Sequence, residues 1–203
     1  KYIKKGFLRD FDSIKNAKNF FKYDFSFTPD VAYLLGQQIV KNQKDLANKN
    51  IGISVIDYRV YRRYADEVDN KILTKEEYID FWSKEIIYLS ANYECIYFLS
   101  TTSADHQLSL EVKRNLELLK INKKIEIFST HSWGSLIEQL KGIDLYHTGR
   151  MHGLILAKIA NIEISPFVVS NKIRVFNEEL KNLDLNDAIR KIKISIKDIC
   201  DGE

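Results

Sequence analysis

A chain of 203 residues, 45% hydrophobic and 29% charged, has the composition of an ordinary globular protein and is long enough to bury a substantial core. Its 31 basic and 28 acidic residues leave a net charge of +3, too small and too dispersed for a nucleic-acid-binding surface, and no apolar run approaches the roughly 20 residues that span a bilayer. Cys95 and Cys200 are too few for a disulfide framework or a four-ligand zinc site, and they suit a reducing, cytoplasmic setting.

Residues 6–10 read as the end of a strand, followed by a helix over 12–22 capped by Asp12 or Ser13. Residues 25–35 bring an aromatic-rich strand, a Thr-Pro-Asp turn and a second helix over roughly 31–47. From residue 50 the pattern becomes regular. Apolar β-branched or alternating runs at 51–56, 95–101, 124–130, 143–148 and 162–168 predict five strands. Helical spacing appears between them. Tyr78, Phe81, Trp82 and Ile86 share one face, and so do Leu108, Val112, Leu116 and Leu119. A Ser135-x-x-Glu138 capping box is expected in 132–142, with Gly142 closing that helix. Residues 149–161 predict a helix, and 185–200 another with Ile189, Ile192, Ile196 and Ile199 as its stripe.

Alternating strands and helices with short connections predict an α/β fold, a Rossmann-like parallel sheet with helices on both faces. Right-handed crossovers then place every strand's carboxyl end on one edge, where open α/β sheets bind ligands. Past the successive strands lie Asp57 with Arg59, Arg62 and Arg63; Asp105 and His106; His131; His147, Arg150 and His152; and Ser170, Asn171, Lys172 and Arg174. All four histidines are expected on this edge. The opposite edge carries mostly Lys, Asn, Glu and Gly.

The densest cluster is the turn at 147–153. With Thr148 as N-cap, Arg150 and His152 lie in the first helical turn, where unpaired N–H groups and the helix dipole attract an anion. Arg150 adds a fork that matches phosphate or carboxylate. Gly149 and Gly153 allow close approach, and His152 is the candidate acid/base group. His147 stands at the strand end beside them. The arginines at 59, 62 and 63 could hold a phosphate or a charged sugar. No HExxH or similar spacing points to a metal, and there is neither a G-x-G-x-x-G after the first strand of the regular part nor a P-loop.

Arg150-Met151-His152-Gly153, the apolar helix and strand after it, Lys172-Ile173-Arg174-Val175-Phe176 and Glu179-Leu180 together resemble the C-terminal signature of the polysaccharide pyruvyl transferase family. Residues 7–13 resemble the family's Arg-Asp-x-x-Ser segment, 27–35 its Pro-Asp-x-x-x-Leu-Leu segment, and 50–56 the strand that opens its second domain. The resemblance implies a two-domain, glycosyltransferase-B-like protein. Residues 1–48 would be the C-terminal end of an N-terminal Rossmann-like domain, and 49–203 the C-terminal Rossmann-like domain. Family members carry a whole first domain before the Arg-Asp segment, and the chain starts at Lys1, so part of the acceptor side is expected to be missing, which leaves activity of the fragment alone an open question.

The implied reaction moves the carboxyvinyl carbons of phosphoenolpyruvate onto a sugar of a cell-surface polysaccharide precursor as a pyruvate ketal, in a bacterial cell. Arg150 and His152 would contact phosphoenolpyruvate as the catalytic pair. Arg9 would approach the same cleft, and Arg59, His147, Thr148, Gly149, Lys172 and Arg174 complete the substrate-binding set. The scheme needs no metal or other cofactor. The acceptor would be a sugar or lipid-linked saccharide, which brings a cytoplasmic enzyme to the inner face of the membrane. Two alternatives stay open: a nucleotide-sugar glycosyltransferase of similar fold, with Glu178 or Glu179 on a ribose, and a non-catalytic sugar- or phosphate-binding module.

Overall fold

A computed structural model describes residues 5–37, 49–68, 72–128 and 132–200. The chain divides into two compact units, Lys1–Val40 with Asn182–Glu203, and Lys41–Lys181. The expected domain boundary at 48/49 falls at the edge of an undescribed stretch.

The first unit contains strand β1 (Lys5–Leu8), helix α1 (Phe11–Phe20), strand β2 (Asp24–Phe27) and a 3-10 turn over Val31–Gln37. β1 and β2 pair in parallel. Asp10, not Asp12 or Ser13, caps α1, its carboxylate accepting the Ser13 N–H at 2.6 Å. The C-terminal helix α8 (Leu185–Cys200) groups with this unit, although the sequence pattern joined it to the residues after 49. Its buried positions are Ala188, Ile192 and Ser195. Ile196 and Ile199, expected in the stripe, are exposed, because the covered face is centred on i, i+4, i+7 from Ala188.

The second unit is a five-stranded, all-parallel sheet. Its strands are β3 (Asn50–Ser54), β4 (Cys95–Leu99), β5 (Lys124–Phe128), β6 (Leu145–Thr148) and β7 (Glu163–Pro166), in the order β5-β4-β3-β6-β7. Every residue of β3 and β6 is buried, as central strands covered on both faces require. Helix α3 (Lys75–Leu89) starts on a capping box in which Thr74 and Glu77 each accept the other's backbone N–H. Its buried face carries Tyr78, Trp82 and Ile86. Helix α4 (Ser103–Leu118) is capped by Thr102 and buries Leu108, Val112 and Leu116. Helix α5 (Trp133–Leu140) has its capping box at Ser132 and Ser135. The expected Ser135–Glu138 box does not form, and Glu138 instead pairs with Lys141 on the surface.

Two helices were not legible in the pattern: α2 (Tyr58–Val68), with only Tyr61 and Ala65 buried, and α7 (Asn171–Lys181), with Ile173, Asn177 and Leu180. Helix α6 (Met151–Ile159) follows β6 as expected and buries most of its length.

The chain builds β3, β4 and β5 outward, then returns to lay β6 on the other side of β3. The connections therefore diverge between β3 and β6, and the crevice beyond their carboxyl ends is the topological switch point.

Candidate active site

The switch point is built around a close backbone approach. A Cβ on Gly149 would lie 2.6 Å from the Phe167 carbonyl oxygen, so only glycine lets the turn after β6 lie against the turn after β7. The Phe167 N–H donates to the Thr148 carbonyl at 3.0 Å and locks the two turns together. Thr148 is not the N-cap. Arg150 is, in extended conformation, and the Thr148 hydroxyl accepts the Arg150 N–H at 3.1 Å. A Cβ on Gly153 would sit 3.1 Å from that hydroxyl and 3.3 Å from the Tyr146 ring, so α6 is seated tightly over β6. The first ladder bond of α6 runs from the Leu154 N–H to the Arg150 carbonyl, which leaves the N–H groups of the first turn outside the ladder at the mouth of the helix.

The Arg150 fork is already engaged. Its Nε donates to Asp105 Oδ2 at 3.0 Å and its Nη2 to Asp105 Oδ1 at 2.6 Å. Asp105 is 0% exposed, and the Arg150 side chain is 25% exposed. The same carboxylate accepts the Asp57 N–H at 2.8 Å and the Thr101 hydroxyl at 3.3 Å. A buried ion pair survives when both partners are geometrically matched and the remaining lone pairs are satisfied, and here four donors converge on one carboxylate. Asp105 reaches this position because Thr102 caps α4 by accepting the Asp105 N–H at 3.1 Å. The sequence placed Asp105 past its strand but gave no sign of its pairing with Arg150. The signal was an acidic residue in the first turn of the helix after β4, and its partner depends on strand order.

His152 is the second residue of α6 and half-buried. Its ring lies 5.5 Å from the Trp133 ring, tilted by 59°. Trp133, the first residue of α5, is 48% exposed and was not in the expected site. Arg150, Asp105, His152 and Trp133 thus come from the carboxyl ends of three strands.

The remaining expectations divide. His147 is a core residue. It is 3% exposed, hydrogen-bonded through Nδ1 to the Ser165 hydroxyl at 2.9 Å, and packed edge-on against Trp82 and Phe167. Burial pushes its pKa down to about 4, so the ring is neutral at pH 7 and is not presented to a ligand. Thr148 and Gly149 are also buried and shape the corner without facing solvent.

Arg59 lies near the start of α2, exposed, with its Nε 3.0 Å from Asp57 Oδ1. Lys172 and Arg174 are exposed in the first turn of α7, on the same sheet edge. Arg9 belongs to the first unit, where it pairs with Asp30 at 3.0 Å. His106, next to Asp105, is half-buried, and its Nδ1 has no partner among the described residues. His131 lies outside the described residues. Among the described residues no three metal-ligating side chains converge.

A family model described as polysaccharide pyruvyl transferase matches residues 6–171. The match takes in Arg9, Arg59, Asp105, Trp133, Arg150 and His152, and stops just before Lys172 and Arg174. No curated protein and no solved structure matches the chain.

Proposed function

Because the chain belongs to the polysaccharide pyruvyl transferase family and is a transferase enzyme, we propose that it transfers the carboxyvinyl carbons of phosphoenolpyruvate to a saccharide as a cyclic pyruvate ketal. The observation that carries this reading is the switch-point corner, where a guanidinium and an imidazole flank the mouth of α6. Phosphoenolpyruvate offers a phosphate and a carboxylate. The Arg150 N–H groups not used by Asp105 and the first-turn N–H groups of α6 are donors for one of them. The exposed Arg59, Lys172 and Arg174 add positive potential along the same edge and steer the anion inward.

His152 then acts as the acid. It gives a proton to the methylene carbon, and the positive charge that develops at the neighbouring carbon is attacked by a sugar hydroxyl. The C–O bond to phosphate then breaks, and the phosphate leaves carrying the proton of the attacking hydroxyl, which regenerates an electrophilic centre. A second hydroxyl closes the ring, and the proton it releases returns the imidazole to its starting form. Acid/base assistance of this kind contributes about 10²–10⁴ in rate. Among the described residues no helix is long and apolar enough to cross a membrane. The reading puts the protein in the bacterial cytoplasm, with a lipid-linked saccharide met at the inner membrane surface.

The test is incubation with phosphoenolpyruvate and pyranosides that carry two neighbouring free hydroxyls. The expected result is phosphate release matched by a new ketal methyl signal in the proton NMR spectrum. Turnover of a nucleotide sugar in place of phosphoenolpyruvate would refute the reading.

A further inference from the structure

We propose that Asp105 is the positioning residue for Arg150, holding the guanidinium in one orientation at the switch point before any ligand arrives. Its carboxylate gathers donors from the ends of three adjacent strands: the Asp57 N–H after β3, the Thr101 hydroxyl after β4, and Arg150 after β6. Both carboxylate oxygens are used, and the group is fully buried. Two parallel N–H bonds from Nε and Nη2 fix the plane of the guanidinium. Of its five N–H groups, three remain: one on Nη2 and both on Nη1. Arg150 therefore meets a ligand with its Nη1–Nη2 edge, held as one side of a fixed plate, and not with its Nε–Nη2 edge, which Asp105 occupies.

This arrangement has an electrostatic consequence. Asp105 cancels much of the Arg150 charge, so the corner recognises its anion by donor geometry more than by net charge. Two roles for Asp105 then predict opposite signs. If it only neutralised charge, removing it would strengthen attraction for an anion. If it positions Arg150, removing it weakens productive binding, because misplacing a substrate-orienting group by about 1 Å can cost about 10²-fold in rate.

The kinetic part rests on the phosphoenolpyruvate reading, and the exchange part does not. In the native protein without ligand, the Arg150 Nε–H should exchange slowly with solvent by nitrogen-edited NMR. In Asp105→Asn that protection should vanish, and kcat/KM for phosphoenolpyruvate should fall by about 10²-fold. In an Arg150→Ala background Asp105→Asn should cause no further kinetic loss, since Asp105 acts through Arg150.

Three results would overturn the proposal: a rapidly exchanging Nε–H in the native protein, additive losses in the double variant, or tighter phosphoenolpyruvate binding with unchanged kcat in Asp105→Asn. Should the native protein neither bind nor turn over phosphoenolpyruvate, the donor assignment fails, while the exchange comparison still decides the role of Asp105. Should Asp105→Asn not fold, slow or rapid exchange in the native protein decides it alone.

Discussion

His147 carries a pH dependence of stability that can be worked out from its surroundings. The ring is buried between Trp82 and Phe167, and burial lowers its pKa from the ordinary 6.5 to about 4. Above pH 6.5 the imidazole is neutral in both the folded and unfolded chain, and its contribution is fully present. As the pH falls from 6.5 toward 4, the unfolded chain takes up a proton that the folded chain refuses, so stability is lost through that window. Each pH unit costs about 1.4 kcal/mol, which gives a total of about 3 kcal/mol, a large share of a typical 5–15 kcal/mol. The comparison is with His147→Asn, whose amide can still meet the Ser165 hydroxyl. The assay is urea unfolding at about pH 7.5, 6, 5 and 4.5, followed by tryptophan fluorescence. The variant loses some stability at all pH values through the space it leaves. The native protein should lose about 2.5 kcal/mol more than the variant between the highest and lowest pH, the rest of the loss falling below about pH 4.5. Parallel pH profiles for the two proteins would rule out a buried, neutral His147 as the source of the pH dependence.

Gly149→Ala forces a Cβ to within 2.6 Å of a backbone oxygen, and should cost about 1–3 kcal/mol in urea unfolding while weakening phosphoenolpyruvate binding. Trp133→Ala removes an exposed ring and should change stability by less than about 0.5 kcal/mol, yet lower kcat several-fold by freeing the His152 ring; Trp133→Phe should recover most of the rate. His152→Ala should lower kcat for ketal formation by about 10²–10⁴ with an unchanged urea midpoint, and a fully active variant would remove it from the mechanism.

The sequence pattern located all five strands of the second unit because their apolar runs are short, β-branched and bounded by polar turns. It also placed Arg150 and His152 at the right strand end. It did not show that Arg150 meets Asp105, because that pairing depends on β3 lying between β4 and β6, a fact of strand order. His147 looked like an edge residue because it stands one position from the strand end. In a sheet covered on both faces, that position points into the core, where Trp82 receives it. α2 and α7 escaped notice since each buries only two or three residues, too few for a clear stripe. Asp10 was passed over as a cap because Asp12 and Ser13 stand just beyond it and also suit a helix start.

The most direct test of the account is a titration of the protein with phosphoenolpyruvate, followed by the NMR signals of the Arg150 Nε–H and the His152 ring. Both signals should shift together and saturate at one ligand concentration. Saturable binding that leaves both signals unmoved would contradict the account.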